Sequence, residues 1–275
     1  MADYPEDGYI TLGDAKLHYV DWGNANAQPM ALLHGLQDCA RSWDFFANNM
    51  RFDYHVVALD SRGHGDSNWL KPDKYRFQDY VADVDGLINE LQLDNVILVG
   101  HSAGGRYAFA YIAMHPEKVQ SLIVVDIDPD PVNPESRGMF DRYKNEGDEW
   151  ESIEAVIERL RSRQPNSSEE MLEHQAMHMT KESSGGKRVW KRDRAILNAY
   201  ERPDLWKEWS RISCPTLIVR GRQSNLLTHE VAVKMREAIS KVRLAELDGG
   251  GHWFYQEFPG AFETTVRWFL DSPPG

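Results

Sequence analysis

Val96-Ile97-Leu98-Val99-Gly100-His101-Ser102-Ala103-Gly104-Gly105 runs four apolar residues into a serine that has a glycine two places to either side. An unbroken apolar run of this length, bounded by glycine, has the pattern of a strand covered on both faces. Residues 103–114 continue as a helix, which puts the serine at a sharp strand-to-helix turn. A residue at such a turn sits on strained backbone, so its neighbours two places away must be small enough to avoid collision. Gly100-His101-Ser102-Ala103-Gly104 therefore fits G-x-S-x-G in the setting that the pattern requires. The three fixed positions alone arise by chance in about one chain in ten of this length, so the surrounding order of elements carries the argument.

That order is an alternation of strands and helices. Strand-like runs fall at 30–33, 55–59 and 121–125, the last ending in Asp126, and residues 77–91 place Tyr80, Val84, Leu87, Ile88 and Leu91 on one helical stripe. At the start, 10–12 and 16–21 flank Gly13-Asp14 as a hairpin. From 128 to 211 no strand-like run occurs. Ile153, Val156, Ile157 and Leu160 have helical spacing there, and Ser167 with Glu170 reads as a capping box. Strands resume at 215–219 and 242–247, followed by helices over 229–239 and 259–270, and the tail 272–275 reads as loose. The predicted class is α/β, a mostly parallel central sheet flanked by helices. A core of 1–127 and 212–275 carries a helical cap, 128–211, inserted after the sixth strand.

Composition narrows the function. With 31 Lys and Arg against 43 Asp and Glu, a net charge of −12, the chain repels a phosphate backbone, so nucleic acid is not an expected partner. The opening MADYPEDGYI has neither a basic nor an apolar stretch and no eighteen apolar residues run together, so no membrane partner is expected and the location is read as cytoplasmic. Cys39 and Cys214 make no disulfide framework or metal spacing and read as buried thiols. His174 and His178 lie four apart on a predicted helix, but without the glutamate of H-E-x-x-H or an obvious third ligand they read as packed or solvated. No metal or organic cofactor is implied.

Three features support Ser102 as a nucleophile. His34-Gly35-Leu36 follows an apolar strand, and such a loop can offer the Leu36 N–H beside that of Ala103 to a developing oxyanion. His252, in Gly249-Gly250-Gly251-His252-Trp253-Phe254, follows the last strand on a loop free to reach the elbow, and is the natural general base. The turn from Asp60 to Ser67 reads as structural. His34 and His101 read as residues that position backbone.

Taken together these motifs, from Leu32 to Phe269, resemble the α/β-hydrolase superfamily. The resemblance implies Ser102 as nucleophile, His252 as base and the Leu36 and Ala103 N–H groups as oxyanion hole. In most of the superfamily the orienting acid follows the strand after the cap, in a turn such as G-x-x-D. Here that turn is Gly221-Arg222-Gln223-Ser224 with Asn225 next, and it holds no carboxylate. Asp126 ends the neighbouring strand, about 4.8 Å away, on the sheet edge where ligands bind in open α/β folds. Residues 124–131, VVDIDPDP, resemble members that place the acid there, small bacterial esterases with thioesterase activity and an amidohydrolase of acetamidomethylene-succinate among them. Asp128, Asp130 and Asp248 remain rivals to Asp126.

The expected function is a serine hydrolase cleaving a small carboxylic ester through an acyl-enzyme, with thioester, amide or carbon–carbon cleavage open to the same groups. A ligand receptor with little turnover is the alternative of another class, suggested by the missing acid at Ser224. The expected partner is a small-molecule ester or related acyl substrate; the oligomeric state is left open. Trp253, Trp190 and Arg106 are candidate substrate contacts, and an inward-facing Arg106, Arg163 or Arg188 would favour a carboxylate-bearing substrate. An unperturbed His252 would titrate near 6.5, as imidazoles ordinarily do, to within about a unit.

Overall fold

In the computed structural model, which describes residues 5–274, the chain opens with the hairpin expected around Gly13-Asp14. β1 (Glu6–Leu12) and β2 (Ala15–Asp21) pair antiparallel with Leu12 opposite Ala15, and Gly13 takes the positive φ of 61° that the two-residue turn requires. Next come β3 (Gln28–Leu33), α1 (Asp44–Met50), β4 (Tyr54–Leu59), α2 (Phe77–Glu90), β5 (Val96–His101), α3 (Ala103–Met114) and β6 (Val119–Val125). An insertion follows: α4 (Pro134–Asn145), β7 (Glu149–Trp150), α5 (Ile153–Arg163), α6 (Glu169–Met179), β8 (Thr180–Glu182), β9 (Arg188–Trp190), α7 (Ile196–Ala199) and α8 (Trp206–Trp209). The chain then completes the sheet with β10 (Thr216–Gly221), α9 (His229–Glu237), β11 (Val242–Leu247), α10 (Phe254–Glu257) and α11 (Pro259–Asp271). Gly275, the last residue of the expected loose tail, lies outside the described residues.

The main sheet has the order β1-β2-β4-β3-β5-β6-β10-β11, parallel from β4 onward, with every residue of β5 buried near its middle. Successive residues point to opposite faces. Leu98 joins a core with α2 and α3, while Ile97 and Val99 join a second core with Trp43, Phe46, Phe254 and Phe262. Apolar side chains on both faces explain why β5 reads as a continuous run. The carboxyl ends of β5, β6 and β10 meet at one edge, below the insertion.

The insertion departs from the expectation in two places. Its β7, β9 and β8 form a small antiparallel sheet, too short for any alternation of apolar residues to be seen in the sequence. The cap of α6 is Ser168, whose side chain accepts the Met171 N–H at 3.2 Å, while Ser167 accepts from Gln164 Nε2 at 3.0 Å. The insertion is seated on the core by Cys39, which is buried with Val156, Leu160, Leu172, Ala176 and Met179. Cys214 is half-buried. Polar ties reinforce the seam: the Tyr75 hydroxyl donates to Asp193 at 2.7 Å, Arg192 Nε to Gln37 at 2.8 Å, and the Asn166 N–H to Glu257 at 3.1 Å.

Candidate active site

Ser102 has φ 52° and ψ −121°, a conformation that costs a residue with a side chain of order 1–3 kcal/mol and persists only where its surroundings enforce it. The glycines around it answer to different neighbours. A Cβ on Gly100 would lie 2.6 Å from the Gly105 Cα across the elbow, and one on Gly104 would lie 2.4 Å from the Leu33 carbonyl oxygen. Gly35 brings its loop against the serine, since a Cβ there would stand 3.0 Å from Ser102 Cβ. Among the described residues neither the Leu36 nor the Ala103 N–H has an acceptor within the protein. His34 holds this loop: its Nδ1 donates to the Gly35 carbonyl at 2.7 Å and its Nε2 accepts the Ser61 N–H at 3.0 Å.

Asp126 also has a positive φ, 51°, and it directly follows β6. The Ser102 N–H donates to the Val125 carbonyl at 3.0 Å and the Asp126 N–H to the Val219 carbonyl at 2.9 Å, so each strained residue is pinned to the next strand. The structure brings Asp126 and His252 together: His252 Nδ1 lies 2.7 Å from Asp126 Oδ2. Ser224, in the turn that lacks a carboxylate, donates its hydroxyl to the same Oδ2 at 2.5 Å, and the Gly221 N–H reaches Oδ1 at 3.4 Å. His101 Nε2 donates to the His252 carbonyl at 3.0 Å, and the two rings lie 4.5 Å apart. The residue beside Ser102 thus fixes the loop carrying His252.

Burial pushes the Asp126 carboxyl up, and the Ser224 hydroxyl, the Arg220 charge and the Gly221 N–H oppose that by favouring the carboxylate. Burial, with the Arg163 cation second, pushes the His252 imidazole down from 6.5 to about 3. The ring does not keep its ordinary value, because a desolvated imidazole beside a guanidinium resists a second positive charge. At neutral pH the ring is neutral; Nδ1 faces Asp126, and among the described residues no hydrogen bond engages Nε2.

The rival carboxylates are engaged elsewhere. Asp128 accepts from Arg202 at 2.6 Å and Asn133 at 2.7 Å, Asp130 accepts the Trp206 indole N–H at 2.6 Å, and Asp248 is an exposed partner of Arg222 at 3.2 Å.

A family model described as the alpha/beta hydrolase fold matches residues 28–259. The chain belongs to the α/β-hydrolase family. It is similar to the 2-(acetamidomethylene)succinate hydrolase of Mesorhizobium japonicum, 27% identical over 98% of this chain and 99% of that one. It is also similar to an esterase of Mycobacterium tuberculosis, 26% identical over 91% of this chain and 85% of that one. Among solved structures, an E-2-(acetamidomethylene)succinate hydrolase superposes with a TM-score of 0.89 at 24% identity, covering 98% of this chain and 100% of the other. The chain is therefore a hydrolase of a family that acts on small molecules. Among the described residues no helix is long and apolar enough to cross a membrane.

Of the expected substrate contacts, the structure keeps one near the site. Trp253 packs edge-on to the His252 ring at 4.8 Å and lines a neighbouring cleft of about 750 Å³ with Tyr143, Arg142, Arg159 and Arg163, and with the acidic residues Asp141 and Glu146. Arg106 is corrected: it is wholly buried, and its guanidinium donates to the carbonyls of Asp128, Asp130 and Pro203, tying the elbow helix to both ends of the insertion. Trp190 is corrected too. It is buried against Trp150 and the insertion's apolar cluster.

The sequence reading passed over Asp38 and the part taken by Ser224. Asp38 accepts the Tyr255 hydroxyl at 3.2 Å and Gln256 Nε2 at 3.1 Å, joining the His-Gly loop to the helix after His252. No local pattern announces a tie between residues so far apart in the chain. Arg106→Met is expected to lower Tm by roughly 5–10 °C, because one buried and two part-buried carbonyls lose their donor, with KM within about twofold of wild type. A tenfold rise in KM at unchanged Tm would instead return Arg106 to the substrate.

Proposed function

We propose that this hydrolase cleaves a small, carboxylate-bearing carboxylic ester through an acyl-enzyme on Ser102. The observation that carries the reading is the bond between His252 Nδ1 and Asp126 Oδ2, which leaves Nε2 as a proton acceptor beside the elbow. His252 Nε2 takes the Ser102 hydroxyl proton as Oγ adds to the acyl carbon, and the Leu36 and Ala103 N–H groups receive the oxyanion. The imidazolium protonates the departing alcohol, whose bond to the acyl carbon breaks. Water, deprotonated by the same ring, then displaces Ser102 and releases the acid. Asp126 holds the ring in the required tautomer and offsets its transient charge.

The carboxylate preference rests on Arg163. Its guanidinium lies 4.7 Å from the Trp253 ring, contacts the neutral Gln164 side-chain oxygen at 2.8 Å, and has no carboxylate partner among the described residues. Arg159 differs, being paired with Glu146. A guanidinium whose charge is not paired, lining a cleft beside the base, suits a substrate carboxylate. Amide cleavage is the second reading, favoured by the likeness to a hydrolase whose named substrate is an acetamido dicarboxylate. The receptor alternative rested on the missing acid at Ser224, and in this reading Asp126 fills that need.

Asp126→Asn is expected to lower kcat by about 10⁴, and Ser224→Ala by no more than about tenfold, since Asp126 remains. A larger loss in Ser224→Ala would move the orienting role away from Asp126. Arg163→Gln is expected to cost about 10–100-fold in kcat/KM for a p-nitrophenyl ester bearing a carboxylate, and little for its neutral counterpart. On the neutral ester, wild-type kcat/KM reaches its plateau below pH 6.5. Removing the Arg163 cation makes the imidazolium easier to form, so the acid limb of the variant moves to higher pH. A limb that does not move, or moves down, contradicts the assignment.

A further inference from the structure

His174 and His178 stand one turn apart on α6, with their rings 4.4 Å from each other. The sequence offers them no third ligand, but the fold does. Asp44, the first residue of α1 in the core, lies with its Oδ2 3.2 Å from His174 Nε2, which also contacts the Arg41 carbonyl at 3.1 Å, so an ion there takes the place of the Nε2 proton. One ligand atom from each of the three side chains falls within 4.8 Å of the others. Two further observations make this more than a chance cluster. Asp44 is only 8% exposed, yet its Oδ1 is buried without a hydrogen-bond partner, which is costly for a carboxylate oxygen. Among the described residues no hydrogen bond holds the His178 ring.

We propose that Asp44, His174 and His178 form a site for a divalent transition-metal ion of the Zn²⁺ type, which clamps the inserted helix α6 to α1 of the core. Two imidazoles and one carboxylate are a donor set for zinc, cobalt or nickel rather than magnesium or calcium. At Zn–N and Zn–O lengths near 2.0–2.1 Å a tetrahedral site has edges of roughly 3.3 Å, which the Asp44–His174 pair already matches. The widest pair needs to close by at most about 1.5 Å, which rotation of the half-exposed His178 supplies. Water completes the fourth position. The Arg41 guanidinium, 3.5 Å from Asp44 Oδ2, is shared with Asp7 at 2.6 Å, so it does not neutralise the Asp44 carboxylate alone. The edge of Phe45 packs on His174 at 5.5 Å and shields one side. Because the ligands come from both sides of the seam, the ion binds the seated insertion and not the unfolded chain.

The test uses untagged full-length protein, titrated with Zn²⁺ by calorimetry and followed by thermal unfolding, with Co²⁺ as a visible-absorption probe and Mg²⁺ as control. Expected are one Zn²⁺ per chain, d–d bands from bound Co²⁺, no effect of Mg²⁺, and a Tm rise of roughly 5 °C at a hundredfold excess over Kd. His178→Gln, at a half-exposed position that leaves the core intact, and Asp44→Asn are each expected to weaken binding at least tenfold. His252→Ala is expected to retain it. Unchanged affinity in His178→Gln, loss of binding in His252→Ala, or no saturable Zn²⁺ binding would overturn the proposal.

Discussion

The hydrogen bond between His252 Nδ1 and Asp126 Oδ2 constrains everything around it. It joins a loop beyond the last strand to the tip of a strand near the sheet's centre. It works only if both side chains are presented at the same edge. The backbone accepts strain to do this, since Ser102 and Asp126 both have φ near 50° at the ends of adjacent parallel strands. Each is locked by an N–H that continues the ladder to the neighbouring strand. Aspartate tolerates this region better than most residues, which suits it to the tip of β6. Ser224 then supplies a hydroxyl to the carboxylate from the turn where many relatives of this fold would carry the acid itself.

Burial and charge around this pair act in opposite directions on its two members. The imidazole is desolvated and faces Arg163, so it rests neutral. Desolvation also holds the Asp126 carboxyl well above its ordinary value, and the Ser224 hydroxyl, the Arg220 charge and the Gly221 N–H act against that rise. A neutral ring with one nitrogen committed and one free is the state a general base requires. Arg163 couples this to the cleft: the same guanidinium that lowers the ring's basicity stands, in our reading, where an anionic substrate would neutralise it. Binding such a substrate would lift that depression and ease proton uptake by the ring.

What was legible in the sequence follows from the range of the interactions. Strands and helices of the core announce themselves by periodicity, and G-x-S-x-G reads as an elbow because Gly100 and Gly104 are forced by backbone contacts close at hand. The pairing of Asp126 with His252 could be anticipated because the gap at Ser224 was visible and the adjacent strand ended in a carboxylate. The failures are long-range or too short to have a period. Strands of two or three residues in the insertion carry no alternation, and Ser167 and Ser168 differ as caps only because Gln164 engages one of them. Arg106 looked available from its helix position, yet the carbonyls that surround it come from loops over 20 and nearly 100 residues away. Asp44 was hidden as a partner of His174 and His178 for the same reason.

The Asp126–His252 bond can be observed directly. In the proton NMR spectrum of the unliganded protein, a ring N–H held by a buried carboxylate gives an exchange-protected resonance downfield of the amides, assigned here by its absence in His252→Ala. The account requires that this resonance also vanish in Asp126→Asn and persist in Ser102→Ala. Its survival in Asp126→Asn would show that another group holds the imidazole, and the catalytic reading built on Asp126 would be contradicted.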